Sequence, residues 1–412
     1  MDASPDDRQP PLPVLFALIG VAIAALSPFF GLFLRSRGMR ADRIGVVLAS
    51  VALAGLVAGP LWGHLADTTL GRVRALRLSA MASIGIAVAY ALSAHGFWPL
   101  LLGAAVLWAA WAPVVPIGDA LAVVRLGDAL VEYGRIRLWS SIGYAFAIVL
   151  IGAALEGIDL VFILPLFACA AAAVAVWSFA GPADHAEHVA RSRLGAVGDV
   201  FRAAPRLAPM LVALLFVGVG TTAAWQFLPL RIVGSGGGPF LVGIAGGLGA
   251  LVEVPVMRST GTFTTRFPLR ALYALGCATF GSVFLIWSVV DNMVVVSLLG
   301  ALEGVGFALT YTSMVIIIGR LVPEQLQATG QAVRSMVGSG APILGALAGG
   351  FVFERLGPPV LFVGAAGLVV SGAAIAWFTL SPPAFSVRSV RAEASTLEAN
   401  PPPLGSGGAP PP

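Results

Sequence analysis

Two stretches of this sequence decide its fold: RLWSSIGYAFAIVLIG, residues 137–152, and RSMVGSGAPILGALAG, residues 334–349. Each begins with an arginine that is followed by glycine six and fifteen positions later, and the two stretches are offset by 197 residues. Glycine coincidences are easily obtained in a chain with 50 glycines, but an arginine at the same place in two apolar runs is harder to obtain by chance. The match therefore indicates two related halves.

The chain around these stretches is apolar enough to require a lipid environment. Of its 412 residues, 58% are hydrophobic and 11% are charged, and the mean hydropathy is +0.93. A soluble domain needs more polar surface than this composition can supply. A membrane-spanning helix takes about 20 apolar residues, so the length allows about twelve spans joined by short turns. We predict an all-α membrane protein with twelve transmembrane helices in two six-helix, pseudo-symmetric bundles.

Breaks in the apolar pattern at charged residues, glycine and proline predict the boundaries of the spans. The predicted spans are 12–35, 43–66, 73–94, 97–124, 135–156, 159–180, 207–232, 239–262, 268–290, 292–319, 326–352 and 358–380. The N-terminal bundle then occupies 12–180 and the C-terminal bundle 207–380. The remaining segments are a cytoplasmic N-terminal tail (1–11), a cytoplasmic central loop (181–206) and a Pro- and Gly-rich C-terminal tail (381–412), which we predict to be disordered.

The distribution of arginine predicts how the chain is oriented. Cytoplasmic termini would place 18 of the 24 basic residues in the cytoplasm, as the positive-inside rule requires for an inner-membrane protein. The first outer loop, RSRGMRADR at residues 35–43, runs against this rule. Six arginines lie outside: Arg35, Arg37, Arg40, Arg43, Arg231 and Arg355.

Several function classes are not supported by the composition. The net charge of +4 comes from arginines dispersed among helix ends, so no nucleic-acid partner is expected. The two cysteines lie far apart in apolar runs, and His185 and His188 of the central loop have a spacing that is weak for metal binding, so we expect no metal. The sequence has no nucleophile-and-base arrangement and no phosphate-binding glycine loop, so we expect neither an enzyme nor a cofactor.

Three segments carry a resemblance to a known family. The loop GHLADTTLGRVRAL, residues 63–76, resembles the signature between the second and third helices of the major facilitator superfamily, with one extra residue. PVVPIGDALA (113–122) and EYGRIRLWSSIGYAFA (132–147) resemble its phenylpropionate-permease-like branch, which is related to lactose permease and the nucleoside proton symporters. The resemblance implies the twelve-helix fold of that superfamily and proton-coupled alternating access, but no particular substrate.

Asp119 of the fourth span and two acidic residues near the middle of later predicted spans are candidate proton-coupling groups. Glu253 lies in LVEVPV of the eighth span and Glu303 in ALEGVGF of the tenth, and neither has a charged residue three or four positions away. An ionised side chain near the bilayer centre costs several kcal/mol, and a lone carboxyl avoids that cost by binding a proton. The alternative is a protonated carboxyl that only joins two helices.

Asp119 and Arg137 lie nine residues on either side of Asp128, in the turn between the fourth and fifth spans, so they reach similar depth and can form an ion pair. This pair either opens in competition with a proton or a substrate carboxylate, or locks two helices permanently. The resemblance implies a contribution of both residues to the substrate site. Arg334 mirrors Arg137 across the repeat, and two guanidinium groups facing one cavity would suit an anion. Alternatively, Arg334 extends to the surface.

Further candidates lie beside these residues. Trp225 and Gln226 are predicted to contribute to the substrate site, because an aromatic wall suits an aromatic or sugar-like solute. Tryptophan also packs between helices or at the membrane interface, and both readings stay open for each of these side chains. The tryptophans in the spans expected to line the cavity are Trp108, Trp111, Trp139 and Trp225.

Asp67, Arg72 and Arg74 in the loop after the second span are predicted to hold one conformational state and so to act in gating. Together the candidates predict a secondary active transporter, functional as a monomer, that carries protons and a small organic solute in symport. The solute could be an aromatic or other carboxylate, a sugar or a nucleoside. The alternatives are a proton antiporter exporting a hydrophobic compound, and a transporter-like sensor or assembly partner without flux.

Overall fold

A computed structural model of the protein describes residues 11–93, 95–126, 132–180 and 197–380. In this part of the chain, twelve helical spans are long and apolar enough to cross a membrane, which confirms the predicted fold class. His185 and His188, most of the central loop and the two tails lie outside the described residues. We number the spans α1 to α12: Leu12–Ser36, Ala41–Leu70, Arg72–Ser93, Phe97–Leu126, Tyr133–Ala154, Leu160–Ala180, Leu207–Gly234, Pro239–Ser259, Leu269–Val289, Met293–Leu321, Thr329–Arg355 and Pro358–Thr379.

Large apolar side chains cover the outside of the helical bundle. Leu92, Val289 and Phe378 are 78%, 74% and 76% exposed, although each lies within or at the end of a predicted span. In water such exposure would be costly, whereas lipid tails are as apolar as the side chains themselves. The exposed surface therefore agrees with a protein that is surrounded by lipid.

Three spans are interrupted where the sequence cannot continue a regular helix. Pro28 lacks the backbone N–H that an α-helix needs, and so does Pro113. In α10 the interruption at Leu299 is followed by Gly300, which packs against the backbone of Ala245 in α8. The helical segments on either side of the three breaks are Leu12–Leu26 and Phe30–Ser36, Phe97–Trp111 and Val114–Leu126, and Met293–Leu298 and Gly300–Leu321.

The helix packing repeats after six spans, as the sequence repeat indicates. Each principal contact within the first six spans has a counterpart between the spans numbered six higher. The corresponding pairs are α1–α5 and α7–α11, α1–α6 and α7–α12, α3–α6 and α9–α12, α2–α4 and α8–α10, and α3–α4 and α9–α10. In the predicted central loop, Val197–Ala203 forms a short helix that contacts α11. The duplication is thus a duplication of packing as well as of sequence.

The two halves contact each other mainly through α2 with α11 and α5 with α8. A Cβ atom at Gly45 of α2 would lie 3.1 Å from the Cα atom of Gly350. A Cβ atom at Gly243 of α8 would lie 3.1 Å from the Cα atom of Val149. These glycines lie toward the side on which α1 ends and α2 begins, which we call the closed side. Near the other ends of α2 and α11, Gly63 and Gly338 have no described neighbour within 4 Å of a Cβ position. We call that side the open side.

Candidate functional site

A cavity of about 610 Å³ lies between the halves and receives side chains from both. Such a volume is typical of sites for small molecules. Its polar side-chain groups are hydroxyls, one amide, one indole N–H and two carboxyls, and among the described residues that line it none is basic. The N-terminal half contributes Ile23, Ser140, Ser141 and Tyr144, and the C-terminal half Thr221, Thr222, Trp225, Gln226, Gly246, Gly249, Ala250, Glu253, Phe280, Glu303, Gly304 and Phe307.

Glu303 is the most deeply placed carboxyl of the cavity, with 4% of its surface exposed. The indole Nε1 of Trp225 donates a hydrogen bond of 2.6 Å to its Oε1 atom. The other oxygen, Oε2, faces α8, where a Cβ at Gly249 would lie 3.4 Å away. Glu303 is therefore positioned by α7 and α8 as well as by its own helix, α10.

Glu253 lies one turn after Gly249 on α8 and is half-buried in the same cavity wall. The two candidate carboxyls thus share one cavity, although they are fifty positions apart in the chain. Arg137 is near enough to Glu253 for the two charges to interact, but it is not among the described residues that line the cavity. The described lining of the cavity thus carries two acidic groups, and Arg137 lies outside it.

Asp119 and Arg137 form an ion pair between α4 and α5. The same Nη1 atom of Arg137 donates to the hydroxyl of Tyr133 at 3.2 Å. The side chains are 31% and 47% exposed and lie toward the open side, beyond the 610 Å³ cavity. The sequence correctly placed the two residues at one depth, and the structure joins them outside the cavity lining, toward the open side.

Arg334 does not join Arg137 at the cavity. Its Nε atom donates 2.7 Å to Oε1 of Gln331, one turn earlier on α11, and the described lining residues do not include either side chain. Because both arginines lie in the open-side ends of their helices, the repeat brings them to one level without directing them at one ligand. The structure therefore does not assemble the two-arginine anion site expected from the sequence.

The tryptophans separate into different environments. Trp225 lines the main cavity, whereas Trp108 and Trp111 line a smaller cavity of about 240 Å³ within the N-terminal half. Trp108 packs on Phe30 with a ring distance of 4.7 Å, and Trp139 is 46% exposed. Of the four, Trp225 alone is among the described lining residues of the main cavity.

Sequence reasoning did not identify the hydroxyl groups of the cavity. Thr221 and Thr222 lie one turn before Trp225, so helical spacing places them on the same face of α7. Ser140 and Ser141 precede Tyr144 on α5 in the same way. Hydroxyl residues one turn from a candidate aromatic residue, inside an apolar span, were the available signal.

A second cavity of about 190 Å³ lies on the closed side of the first. Four side chains, Ile23, Tyr144, Trp225 and Gln226, line both cavities and therefore form the partition between them. The Oε1 atom of Gln226 is buried without a hydrogen-bond partner in the described structure. The two cavities thus meet at these four side chains.

The candidate gating residues lie on the open side, away from both cavities. Asp67 belongs to the π-helical turn Ala66–Leu70 that ends α2, and Gly71 follows with a φ of +78°, which favours glycine. Asp67 and Arg74 are exposed, and Arg72 is half-buried at the start of α3. Their position between two spans is compatible with a conformational role.

Comparisons with known proteins agree with this architecture. Residues 13–363 match the MFS_1-like family. Maltose permease of Geobacillus stearothermophilus is 28% identical over 361 residues, covering 84% of this chain and 88% of the permease. The probable 3-phenylpropionic acid transporter of Escherichia coli (strain K12) is 24% identical over 346 residues, covering 82% and 89%.

Solved structures show the same fold. Two structures of the nucleoside transporter NupG, one of them a mutant, superpose with TM-scores of 0.79 and 0.80 at 17% identity. Each covers 90% of this chain, and 98% or 99% of NupG is matched. These similar proteins are transporters and not enzymes. The chain belongs to the MFS_1-like family and is a multi-pass membrane transporter of the major facilitator type, as its loop and helix motifs predicted.

Proposed function

We propose that the protein is a proton-coupled symporter for a small, neutral, hydroxylated solute such as a saccharide or a nucleoside. The single observation that carries this proposal is the shared cavity of Glu253 and Glu303, which has hydroxyl, amide and aromatic groups around two carboxyls. The carboxyls can exchange protons, while the neutral polar groups can bind the solute. Both functions lie between the halves, where alternating access requires them.

The lining of the cavity favours a neutral solute over a carboxylate. Hydroxyls of Ser140 and Thr221, and the amide of Gln226, can exchange hydrogen bonds with a hydroxylated ligand, and the indole of Trp225 offers an aromatic face. A carboxylate would instead find no described arginine in the cavity lining with which to form an ion pair. The names of maltose permease and the nucleoside transporter NupG support this class, whereas that of the 3-phenylpropionic acid transporter supports a carboxylate.

Burial of Glu303 supports a coupling role. With 4% of its surface exposed, the ionised form loses most of its hydration, and the hydrogen bond from Trp225 replaces only part of it. Protonation removes the charge, so the halves can move past each other without carrying an unpaired ion through an apolar region. In this mechanism proton and solute bind in one conformation and are released together in the other.

The proposal includes an orientation. Cytoplasmic termini place the open side in the cytoplasm and make the described conformation inward-open, with release of solute and proton toward the cell interior. The excess of arginine on that side supports this placement in the inner membrane. The six-helix halves build the whole cavity from one chain, which supports function as a monomer.

A second candidate function is favoured by the same two carboxyls. A cavity with two acidic and no described basic lining residues also suits a lipophilic cation, which a proton antiporter would export in exchange for protons. The two functions predict opposite responses: a solute carried in symport brings protons in its own direction, and one carried in antiport drives them the other way.

The test is proton flux into proteoliposomes loaded with a pH dye and challenged separately with saccharides, nucleosides, aromatic carboxylates and lipophilic cations. We expect a saccharide or nucleoside to acidify the lumen with the wild type. Glu303→Gln should abolish this flux while retaining exchange of labelled for unlabelled solute. Glu132→Gln is the matched control, because Glu132 pairs with Arg135 on the open side, outside the cavity.

Acidification by aromatic carboxylates alone would overturn the proposed substrate class. Lumenal alkalinisation on addition of a lipophilic cation would replace symport by antiport. Saturable solute binding without flux in the folded wild type would favour a sensor or assembly partner. Unchanged proton flux in Glu303→Gln would exclude Glu303 as the coupling residue.

A further inference from the structure

We infer that Glu156 and Glu354 are a pair of latches, at repeat-related positions, which hold the two halves together on the closed side. Each is an acidic residue at or just after the end of a helix in one half, and each accepts a hydrogen bond from the first available backbone N–H group of a helix in the other half. This inference concerns the conformational equilibrium of the protein and does not depend on the solute or on proton coupling.

The first latch joins α11 to α2. The Oε2 atom of Glu354 accepts a hydrogen bond of 2.8 Å from the backbone N–H of Ala41, the first residue of α2. The side chain of Arg40, at the cap position, makes no capping hydrogen bond in the described structure. Because the first N–H groups of a helix have no partner within it, Glu354 supplies an acceptor that α2 itself does not.

The second latch joins α5 to α8 in the same way. The Oε1 atom of Glu156 accepts a hydrogen bond of 2.9 Å from the backbone N–H of Phe240. The helix begins at Pro239, which has no N–H, so that of Phe240 is the first one available. Gly238 precedes it and leaves room for the carboxyl group, because a Cβ there would collide with Glu156.

The two latches are related by the internal duplication. Glu156 and Glu354 are 198 positions apart, within one residue of the offset of the arginine stretches. They follow α5 and end α11, and they bind the starts of α8 and α2, which are also counterparts. A carboxylate at a helix N-terminus is favoured by the helix dipole, and a charged acceptor strengthens each hydrogen bond.

The first latch also explains why arginines occur in the first outer loop against the positive-inside rule. Arg40 Nε lies 3.1 Å from Oε1 of Glu354, and Arg35 Nη1 lies 3.7 Å from its Oε2. Both arginines belong to RSRGMRADR, so two positive charges of this loop are paired with Glu354 on the closed side. They are 55% and 53% exposed, and each ion pair therefore adds only modestly to the backbone hydrogen bond.

These contacts have one conformational consequence. They cross between the halves and form only where the closed-side ends of α2 and α11, and of α5 and α8, meet. Opening of the closed side breaks all of these contacts. The latches therefore stabilise the described conformation relative to the one in which the closed side is open. Glu354 has two additional cations and should contribute more than Glu156.

The test measures how often the closed side opens. Ser27 lines the 190 Å³ cavity behind the latches, so a Ser27→Cys variant lacking Cys169 and Cys277 reports opening through alkylation by a membrane-impermeant thiol reagent. The reagent is applied from the closed side of proteoliposomes of one orientation. We expect Glu354→Ala to raise the alkylation rate roughly fivefold, the effect of losing about 1 kcal/mol, and Glu156→Ala to raise it less.

Asp42→Asn is the matched control. Asp42 bears the same charge on the closed side, in the first turn of α2, but it binds the backbone N–H of Arg43 and lies 3.6 Å from Arg40, both within its own half. An alkylation rate for Glu354→Ala no higher than that for Asp42→Asn would overturn the inference. Glu354→Leu, which is close in volume but cannot accept the hydrogen bond from Ala41, repeats the test if the alanine variant does not fold, and its alkylation rate must exceed that of the same control.

Discussion

Trp225 and Glu303 are joined by a hydrogen bond of 2.6 Å from the indole Nε1 to the carboxyl Oε1. The bond links α7 to α10 across the interior of the C-terminal half, 78 positions apart in the chain. Trp225 also belongs to the partition between the two cavities. One side chain therefore contacts the proposed coupling group, the solute cavity and the barrier to the closed side.

Trp225→Phe should reduce proton-coupled transport while leaving the fold intact. Phenylalanine keeps an aromatic ring in the partition but cannot donate to Glu303, and a hydrogen bond to a charged group contributes about 1.5–3 kcal/mol. We expect solute-driven proton flux to fall roughly tenfold, the rate equivalent of the lower end of that range. Trp139→Phe, at an exposed position outside the described cavity lining, should leave the flux unchanged. Equal flux in both variants would contradict a role for the indole N–H.

Breaking the Asp119–Arg137 pair should destabilise the protein more than removing both charges. Each single variant, Asp119→Asn or Arg137→Gln, leaves one charge without its partner. Because both side chains are partly exposed, we expect a loss of about 1 kcal/mol for each single change. The double variant should recover part of it, as measured by thermal unfolding in one detergent. Additive losses would show that the two charges do not interact.

Gly304→Ala should lower the thermal stability. Its Cβ would lie 2.9 Å from the carbonyl carbon and 3.0 Å from the Cα atom of Gly249 in α8, and backbone atoms cannot move aside cheaply. Overpacking of this kind costs about 1–3 kcal/mol. Gly340→Ala is the control, since no described atom lies within 4 Å of a Cβ there and alanine favours the helix by about 0.5–1 kcal/mol. Thermal unfolding should show a lower midpoint temperature for Gly304→Ala and a higher one for Gly340→Ala. Equal shifts in the two variants would exclude close α8–α10 packing.

Arg334→Gln should leave solute affinity unchanged, whereas Gln226→Ala should weaken it. Arg334 donates to Gln331 on its own helix and is not among the described cavity-lining residues, while Gln226 lines both cavities. Loss of one neutral hydrogen bond corresponds to about 1 kcal/mol, or roughly a fivefold change in Kd. Equilibrium binding of the transported solute measures both variants. A larger loss of solute affinity in Arg334→Gln than in Gln226→Ala would contradict this prediction and support the two-arginine anion site.

Some features of the site followed from the sequence because they depend on depth along a helix. Counting from the turn placed Asp119 and Arg137 at one level, and the structure joins them. The cost of burying a charge singled out Glu253 and Glu303, and the structure places both in one cavity. The depth of a residue in the membrane depends on its number of positions from the end of the span and on the constant helical rise. It can therefore be counted from the sequence once the spans are known.

The direction of each side chain did not follow from the sequence. Arg334 has the depth and spacing of Arg137, yet it turns along its own helix. Trp108 and Trp111 occupy a span that was expected to line the main cavity, but they line a separate one. Rotation of a helix about its axis is set by what it packs against, and the packing partners lie in distant parts of the chain.

By itself, the sequence determined that this chain is an integral membrane protein with twelve spans in two related halves. Those properties depend on the length of apolar runs and on a repeat, which are local or directly countable. Only the tertiary structure decided that Trp225 binds Glu303, that Glu156 and Glu354 bind helix starts in the opposite half, and that the cavity has no described basic lining residue. These properties depend on close helix crossings, such as Gly249 with Gly304, which bring together atoms that the chain order keeps apart.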